Sequence, residues 1–263
     1  MINIHPTAIV NPKAEIADDV VIGPFSIVGP NVCIGKGTRF ISHCNVSGYT
    51  RIGENNTMFP FVSVGTEPQD NGYKGNESYL NIGNNNIFRE GFTANVGTKE
   101  YSTTTIGNGC YFMMSTHVGH NCKIGNNVIV ANGSVFGGYS EIADYCVISG
   151  VCAVHQFVRI GRFVMMSGGS VTAVNIPPFV ITVGRNDSGS IRGLNTIGLK
   201  RNGFDNKTIK ALRDLYKIFF LSGLNVSNAI AKIESSIEPI PEVKEFLDFV
   251  KTSNRPIATG KRL

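Results

Sequence analysis

The residues best suited to chemistry in this chain are three of its five histidines: His117, His120 and His155, the last followed by Gln156. An imidazole titrates near neutral pH, so it can take a proton from an attacking group and return it to a leaving group. Two adjacent glycines, Gly137 and Gly138, lie between His120 and His155. Bare backbone there can present an N–H to a developing oxyanion. Three imidazoles could instead hold a zinc ion if they came from adjacent faces of a trimer. His5 and His43 have no polar cluster around them and read as solvated corners. The choice of chemistry depends on whether the fold brings the first three histidines together.

The element that carries them is written in steps of six. From Ile4 the series runs Val10, Ile16, Ile22, Val28, Ile34, Phe40, Val46, Ile52, Met58, Val64 with no polar member. It restarts at Ile82, Phe88 and Ala94, and again from Ile106 to Met166. The residue four places after each apolar one is usually small, such as Ser26, Cys44, Thr116 or Cys146, and the residue directly after the apolar one is often glycine. A helix repeats every 3.6 residues and a half-buried strand every 2, so neither accounts for a period of six. The pattern predicts a hexapeptide-repeat parallel β-helix, a triangular prism with three hexads per turn. Twenty-five hexads give just over eight turns, or about nine with the fading remnants after Met166. At a strand spacing of about 4.8 Å the prism is roughly 40 Å long. Asn55, Asn56, Asn84, Asn85, Asn126 and Asn127 fall at corners, where positive φ suits asparagine.

This register turns sequence offsets into geometry. His120 lies 14 residues into the turn that starts at Ile106, and His155 and Gln156 lie 13 and 14 into the turn that starts at Ile142. They share one corner, two turns apart, or about 10 Å. Gly137 and Gly138 hold the same offsets in the turn between. A hollow with an exposed N–H is therefore expected beside the imidazoles, with Asn121 and Tyr139 stacked next to it. This corner is the candidate active site.

Composition narrows the classes. With 42% hydrophobic and 16% charged residues the chain can bury a large core. No apolar run approaches the roughly 20 residues of a membrane span. Met1 to Pro6 lack the features of a signal peptide, which points to the cytoplasm. Five of the six cysteines, Cys44, Cys110, Cys122, Cys146 and Cys152, occupy the small inward position and read as buried reduced thiols, not metal or redox sites. A net charge of +5 without a basic aromatic stripe argues against nucleic acid and leaves room for an acidic protein partner.

The repeat breaks at residues 66–81 and, more briefly, at 100–105, and loops on a rigid scaffold tend to carry function. After Pro177-Pro178 it fades. Asp205 can cap a helix running to Leu221, ended by Gly223; further helices are expected over 226–236 and, opened by Pro241, over 241–253. The expected organisation is a β-helix over 1–185 and a C-terminal α-helical domain over 186–263.

The strings His117-Val-Gly-His120-Asn-Cys, Ala153-Val-His-Gln-Phe157, Pro177-Pro-Phe-Val180 and Gly193-Leu-Asn-Thr-Ile-Gly-Leu-Lys-Arg-Asn-Gly-Phe204 resemble those of the acyl-carrier-protein–UDP-N-acetylglucosamine O-acyltransferases. The similarity covers almost the whole chain, including Pro68-Gln-Asp70 and the helical tail. It implies a left-handed prism, a homotrimer with active sites between prisms, and the first step of lipid A synthesis. By the same resemblance, His120 is the general base for transfer of a 3-hydroxyacyl group from acyl carrier protein, and the Gly138 N–H stabilises the oxyanion. Gln69 and Asp70 hold the sugar, joined by Lys74 near the position of the family's usual lysine, where Gly72 stands here. His117, Asn121, Tyr139, His155, Gln156, Asn195 and Arg201 complete the substrate contacts, and Gly168 floors the acyl groove. Lys200, Arg201 and the first tail helix would dock the acidic carrier. No cofactor is implied.

The chain departs from the family pattern at Asn121, where an Asp is frequent, at Tyr139, where a His is common, at Gly72 and at Asn95. These positions surround the sugar, so the acceptor is either UDP-N-acetylglucosamine or its 3-amino analogue. Three other readings stand beside this one. The sister N-acyltransferase carries a uridine-binding domain ahead of its repeat, whereas here the repeat begins at Ile4. An acetyl-coenzyme A–dependent sugar acetyltransferase shares the prism but generally lacks this tail. The third is a metal-binding β-helix of the carbonic anhydrase type, built on His117, His120 and His155.

Overall fold

The computed structural model describes residues 1–184 and 190–259. Two- to five-residue strands succeed one another along the chain and fall onto three faces. Face 1 begins with Asn3–Ile4, face 2 with Ile9–Val10 and face 3 with Glu15–Ile16. Each strand pairs in parallel with its counterpart one turn away, as in Ile4↔Ile22, Val10↔Val28 and Ile16↔Ile34. Successive strand residues point to opposite sides, so one side chain of each hexad enters the prism and its neighbour faces out. Ile22, Val28, Ile34, Phe40 and Val46 are accordingly buried, and so are the small partners Ser26, Cys44, Thr116 and Cys146. Burial pushes the thiols of Cys44, Cys110 and Cys122 up to about 11 and that of Cys146 up to about 12. Ile4, in the first turn, remains 43% exposed.

The corner asparagines divide their work more finely than the sequence suggested. Asn55, Asn85 and Asn127 take positive φ of 54°, 59° and 55°. Asn84 and Asn126 instead accept the backbone N–H of Glu54 and Asn108 from the preceding turn, at 2.7 and 2.9 Å. Asn56 points inward, fully buried, and donates to the Gly83 carbonyl at 2.9 Å.

Both breaks in the repeat leave from the same corner. The chain quits face 2 at Ser63–Thr66 and rejoins face 3 at Tyr79–Ile82; it leaves again at Thr93–Asn95 and returns at Thr103–Ile106. The second loop therefore comes earlier than 100–105, because Thr103–Ile106 is already paired with Tyr79–Ile82.

Beyond the prism, Ser190–Leu194 forms a strand antiparallel to Val180–Val183, within the stretch expected to be helical. Among the described residues four α-helices follow: α1 (Thr196–Arg201), α2 (Asn206–Tyr216), α3 (Val226–Ser236) and α4 (Pro241–Lys251). Asp205 caps α2 by accepting the Thr208 N–H at 2.7 Å, and a single wider turn, Lys217–Leu221, continues it to the expected end. The pattern turns helical by Gly198, within α1, but at six residues α1 is too short to be read as a separate helix. The Arg162 guanidinium ties the prism to α4 through Glu245 at 2.7 Å. Among the described residues no helix is long and apolar enough to cross a membrane.

Candidate active site

The corner between faces 2 and 3 carries both loops and the three histidines. His117–Val118 closes face 2, Lys123–Ile124 opens face 3, and the turn between them holds His120 and Asn121. Tyr139 N–H donates to His120 O at 2.9 Å, and Phe157 N–H donates to Gly138 O at 3.0 Å. His120, Gly138 and Gln156 thus stack along one edge, as the offsets required.

The hollow is not empty. The His120 ring lies across Gly138, and a Cβ there would sit 2.3 Å from Cε1 and 2.4 Å from Nε2. Glycine at 138 is a requirement of close approach, not of φ. At Gly137 an added Cβ would instead strike the backbone, 2.7 Å from the Gln156 nitrogen. The Gly138 N–H finds no acceptor among the described residues. Pro30 and Pro12, which have no N–H, occupy the matching place five and six turns earlier.

Polar partners fix the imidazole on both sides. Nδ1 lies 3.1 Å from Asn121 Oδ1, and Nε2 lies 3.7 Å from Asp70 Oδ2 on the first loop. Asn121 and Tyr139 hold the same place in successive turns, with φ of 60° and 61°. Thr98, on the second loop, bridges them, with its hydroxyl 3.0 Å from Asn121 Oδ1 and 3.0 Å from the Tyr139 hydroxyl. Tyr139 holds φ at 61°, which costs a side-chain-bearing residue about 1–2 kcal/mol. Its ring stacks on Phe157 at 4.8 Å and meets the His120 ring edge-on at 5.4 Å. His117 Nδ1 lies 2.8 Å from Thr93 Oγ1. Burial, and secondarily the nearby His120, hold the His117 imidazole below its ordinary pKa. His155 Nδ1 turns to the Gln156 carbonyl at 3.1 Å, and both side chains are exposed further along the edge. Gln69 and Lys74 are exposed on the loop of Asp70. Asn95 is buried, donating to Glu67 O at 2.8 Å, while its Oδ1 meets no partner among the described residues.

The remaining expected residues lie elsewhere. Gly168 sits at the corner between faces 1 and 2, where a Cβ would come no nearer than 3.6 Å to any atom. Asn195 caps α1 by accepting the Gly198 N–H at 3.0 Å and donates to Phe163 O at 2.9 Å, beside the third corner. Arg201 is exposed at the end of α1. A single prism therefore gathers Asp70, His117, His120, Asn121, Gly138 and Tyr139 but not Gly168, Asn195 or Arg201. Thr98 and Thr93 were missed. The one available signal was that the second break immediately precedes the histidine turn.

Comparison with known proteins agrees with this architecture. Residues 103–138 match the bacterial transferase hexapeptide family (six repeats), and residues 175–258 match domain 2 of UDP-N-acetylglucosamine O-acyltransferase. The chain is 45% identical to the acyl-[acyl-carrier-protein]–UDP-N-acetylglucosamine O-acyltransferase of Syntrophobacter fumaroxidans, over 97% of its own length and 98% of the relative's. The enzyme of the same name from Thermodesulfovibrio yellowstonii is 43% identical over 98% and 99% of the two chains. Among solved structures, a UDP-N-acetylglucosamine acyltransferase from Bacteroides fragilis superposes with a TM-score of 0.92 at 38% identity, covering 96% of this chain and 98% of that one. The Francisella novicida enzyme gives 0.94 at 35% identity, covering 98% and 95%. The prism is a left-handed parallel β-helix followed by a helical region, and the chain is an acyltransferase. It belongs to the acyl-[acyl-carrier-protein]–UDP-N-acetylglucosamine O-acyltransferase family.

Proposed function

We propose that the protein transfers a 3-hydroxyacyl chain from acyl carrier protein to the 3-position of UDP-N-acetylglucosamine or its 3-amino analogue, the first, cytoplasmic step of lipid A synthesis. The observation that carries this reading is the His120 ring over Gly138, with Nδ1 on an acceptor and Nε2 turned toward the loop of Asp70. Nε2 takes the proton from the sugar nucleophile as that atom attacks the thioester carbon. The free Gly138 N–H receives the oxyanion of the tetrahedral intermediate. Collapse expels the carrier's thiolate, which the imidazolium protonates. Gln69, Asp70, Lys74, His117, His155 and Gln156 hold the nucleotide sugar.

Gly168 and Asn195 lie at the other two corners, and Arg201 lies at the exposed end of α1. In a homotrimer with threefold symmetry those corners come from neighbouring prisms, which is how one cleft would contain all of them. For the acidic carrier protein the docking surface comprises Lys200, Arg201, Lys210 and Arg213, all exposed. Lys207 and Lys217 already pair with Glu238 and Asp214. The neutral Asn121 beside the base favours the amine acceptor, since an amine needs less help to attack. Mass spectrometry of the products from both nucleotide sugars and a set of 3-hydroxyacyl carrier proteins tests the reading, together with His120→Ala, which should lower kcat at least about 100-fold. A folded His120→Ala enzyme of near wild-type activity removes the base assignment; a strong preference for the 3-hydroxyl sugar removes the amine.

A further inference from the structure

Thr98 touches neither ring nitrogen of His120, yet both of its donors meet the Asn121 oxygen that faces the ring. Its main-chain N–H lies 2.9 Å from Asn121 Oδ1. A backbone N–H can only donate, so the atom it meets must be the amide oxygen, and the orientation of the Asn121 side chain follows without ambiguity. That oxygen is also the atom 3.1 Å from His120 Nδ1. An acceptor there requires a proton on Nδ1 in the neutral ring, which leaves the Nε2 lone pair free.

The hydroxyl of Thr98 repeats the constraint. It donates to the same oxygen at 3.0 Å, so its own oxygen must accept from the Tyr139 hydroxyl at 3.0 Å. A directed chain results, from Tyr139 O–H to Thr98 O–H to Asn121 Oδ1, with His120 Nδ1–H arriving from the other side. Thr98 and Asn121 are both nearly buried, at 9% and 8% exposure, so water competes weakly for these bonds. Asn121 is also held from its main chain, whose N–H donates to Thr104 Oγ1 at 2.7 Å. The Thr98 carbonyl, finally, accepts from Asn76 Nδ2 at 3.1 Å and so anchors the loop that brings Asp70 to Nε2.

We infer that Thr98 is the positioning residue of the catalytic histidine: it locks the Asn121 amide with its oxygen toward the ring and thereby holds neutral His120 as the Nδ1–H tautomer. This rests on His120 being the base. Where a carboxylate would accept from Nδ1 in any orientation, an amide presents an acceptor on one side and a donor on the other. Turned round, Asn121 would offer N–H to Nδ1, and the proton would move to Nε2, the atom that must be bare. Thr98 is what prevents that turn.

The test reads the tautomer directly, without catalysis. Nitrogen-15 NMR of histidine-labelled protein, with His120 assigned by loss of its signals in His120→Gln, is recorded at a pH where the ring is neutral. The wild type should carry its proton on Nδ1. In Thr98→Val, which keeps the main-chain N–H but loses the hydroxyl, the Nε2–H form should appear. There kcat should fall about 10-fold, the scale of one lost hydrogen bond, with KM for the nucleotide sugar within about 2-fold. Thr98→Ser should restore both readouts. Should Thr98→Val not fold, Thr98→Ala removes the same hydroxyl with less bulk and should move the tautomer the same way. An Nε2–H ring in the wild type, or an unchanged tautomer and kcat in the folded variants, overturns the inference. An active His120→Gln enzyme would instead overturn the base assignment, whatever tautomer the spectrum reports.

Discussion

Replacing Gly138 with alanine should separate catalysis from folding. The new Cβ would lie 2.3 Å from His120 Cε1, 2.4 Å from Nε2 and 2.9 Å from Nδ1. Ordinary carbon contacts begin near 3.5 Å, so the ring must retreat by about 1 Å. The obstacle is a side chain at the surface of a corner, and Gly138 does not need a positive φ, so the backbone can stay where it is. The retreat strains the bond to Asn121 Oδ1, a loss of about 1 kcal/mol, which corresponds to a fall in Tm of about 2–4 °C for a chain of this size. For activity, a misplacement of about 1 Å can cost about 100-fold in rate. Gly137→Ala is the control, because its Cβ would meet the Gln156 backbone nitrogen at 2.7 Å and no rotamer change relieves that. It should lower Tm more than Gly138→Ala does. Steady-state kinetics with thermal unfolding of both variants decides the matter. If Gly138→Ala keeps wild-type kcat/KM with an unaltered fold, the ring does not act from this position and the geometric argument fails.

Stability should also respond to pH through His117. Its folded pKa lies below the value near 6.5 of an unfolded chain, so between the two values the unfolded state binds more protons. Stability from this group is complete above about 6.5 and is lost as pH falls through that window. Urea unfolding at pH 7.5 and 5.5 should therefore show a smaller acid loss for His117→Gln than for wild type; equal losses would refute the assignment. The buried thiols should resist a disulfide reagent at pH 8, because burial raises the pKa of Cys44, Cys110, Cys122, Cys146 and Cys152. Only Cys33, half-buried beside Glu15 at 3.3 Å, should react in the native protein, against all six in guanidinium. More than one fast native thiol would contradict the inward packing. At the open corner of Gly168, Gly168→Met should shift preference toward 3-hydroxyacyl chains shorter by several carbons, each excluded methylene being worth roughly 0.8 kcal/mol. Competition between carrier proteins loaded with long and short chains measures it, and an unchanged preference in the folded variant places the groove elsewhere.

The sequence by itself determined the prism. A parallel β-helix pairs residue i with residue i+18, as Val118 with Phe136 and Phe136 with Val154, and that relation is local and one-dimensional. Counting therefore placed His120, Gly138 and Gln156 on one edge and five thiols inside, while Asp205 and Pro241 marked the starts of α2 and α4. The tertiary structure alone decided what happens where the count fails. Across the two loops the separation becomes 30 and then 24 residues, as in Glu54 with Asn84 and Asn84 with Asn108. Nothing periodic survives within the loops to say where Asp70 or Thr98 ends up. It also decided that the His120 ring, not a void, covers Gly138, and that Asn195 is committed to a helix cap and to Phe163. Those outcomes depend on side-chain direction and on which buried donors need acceptors, quantities set by three-dimensional neighbours that no spacing along the chain encodes.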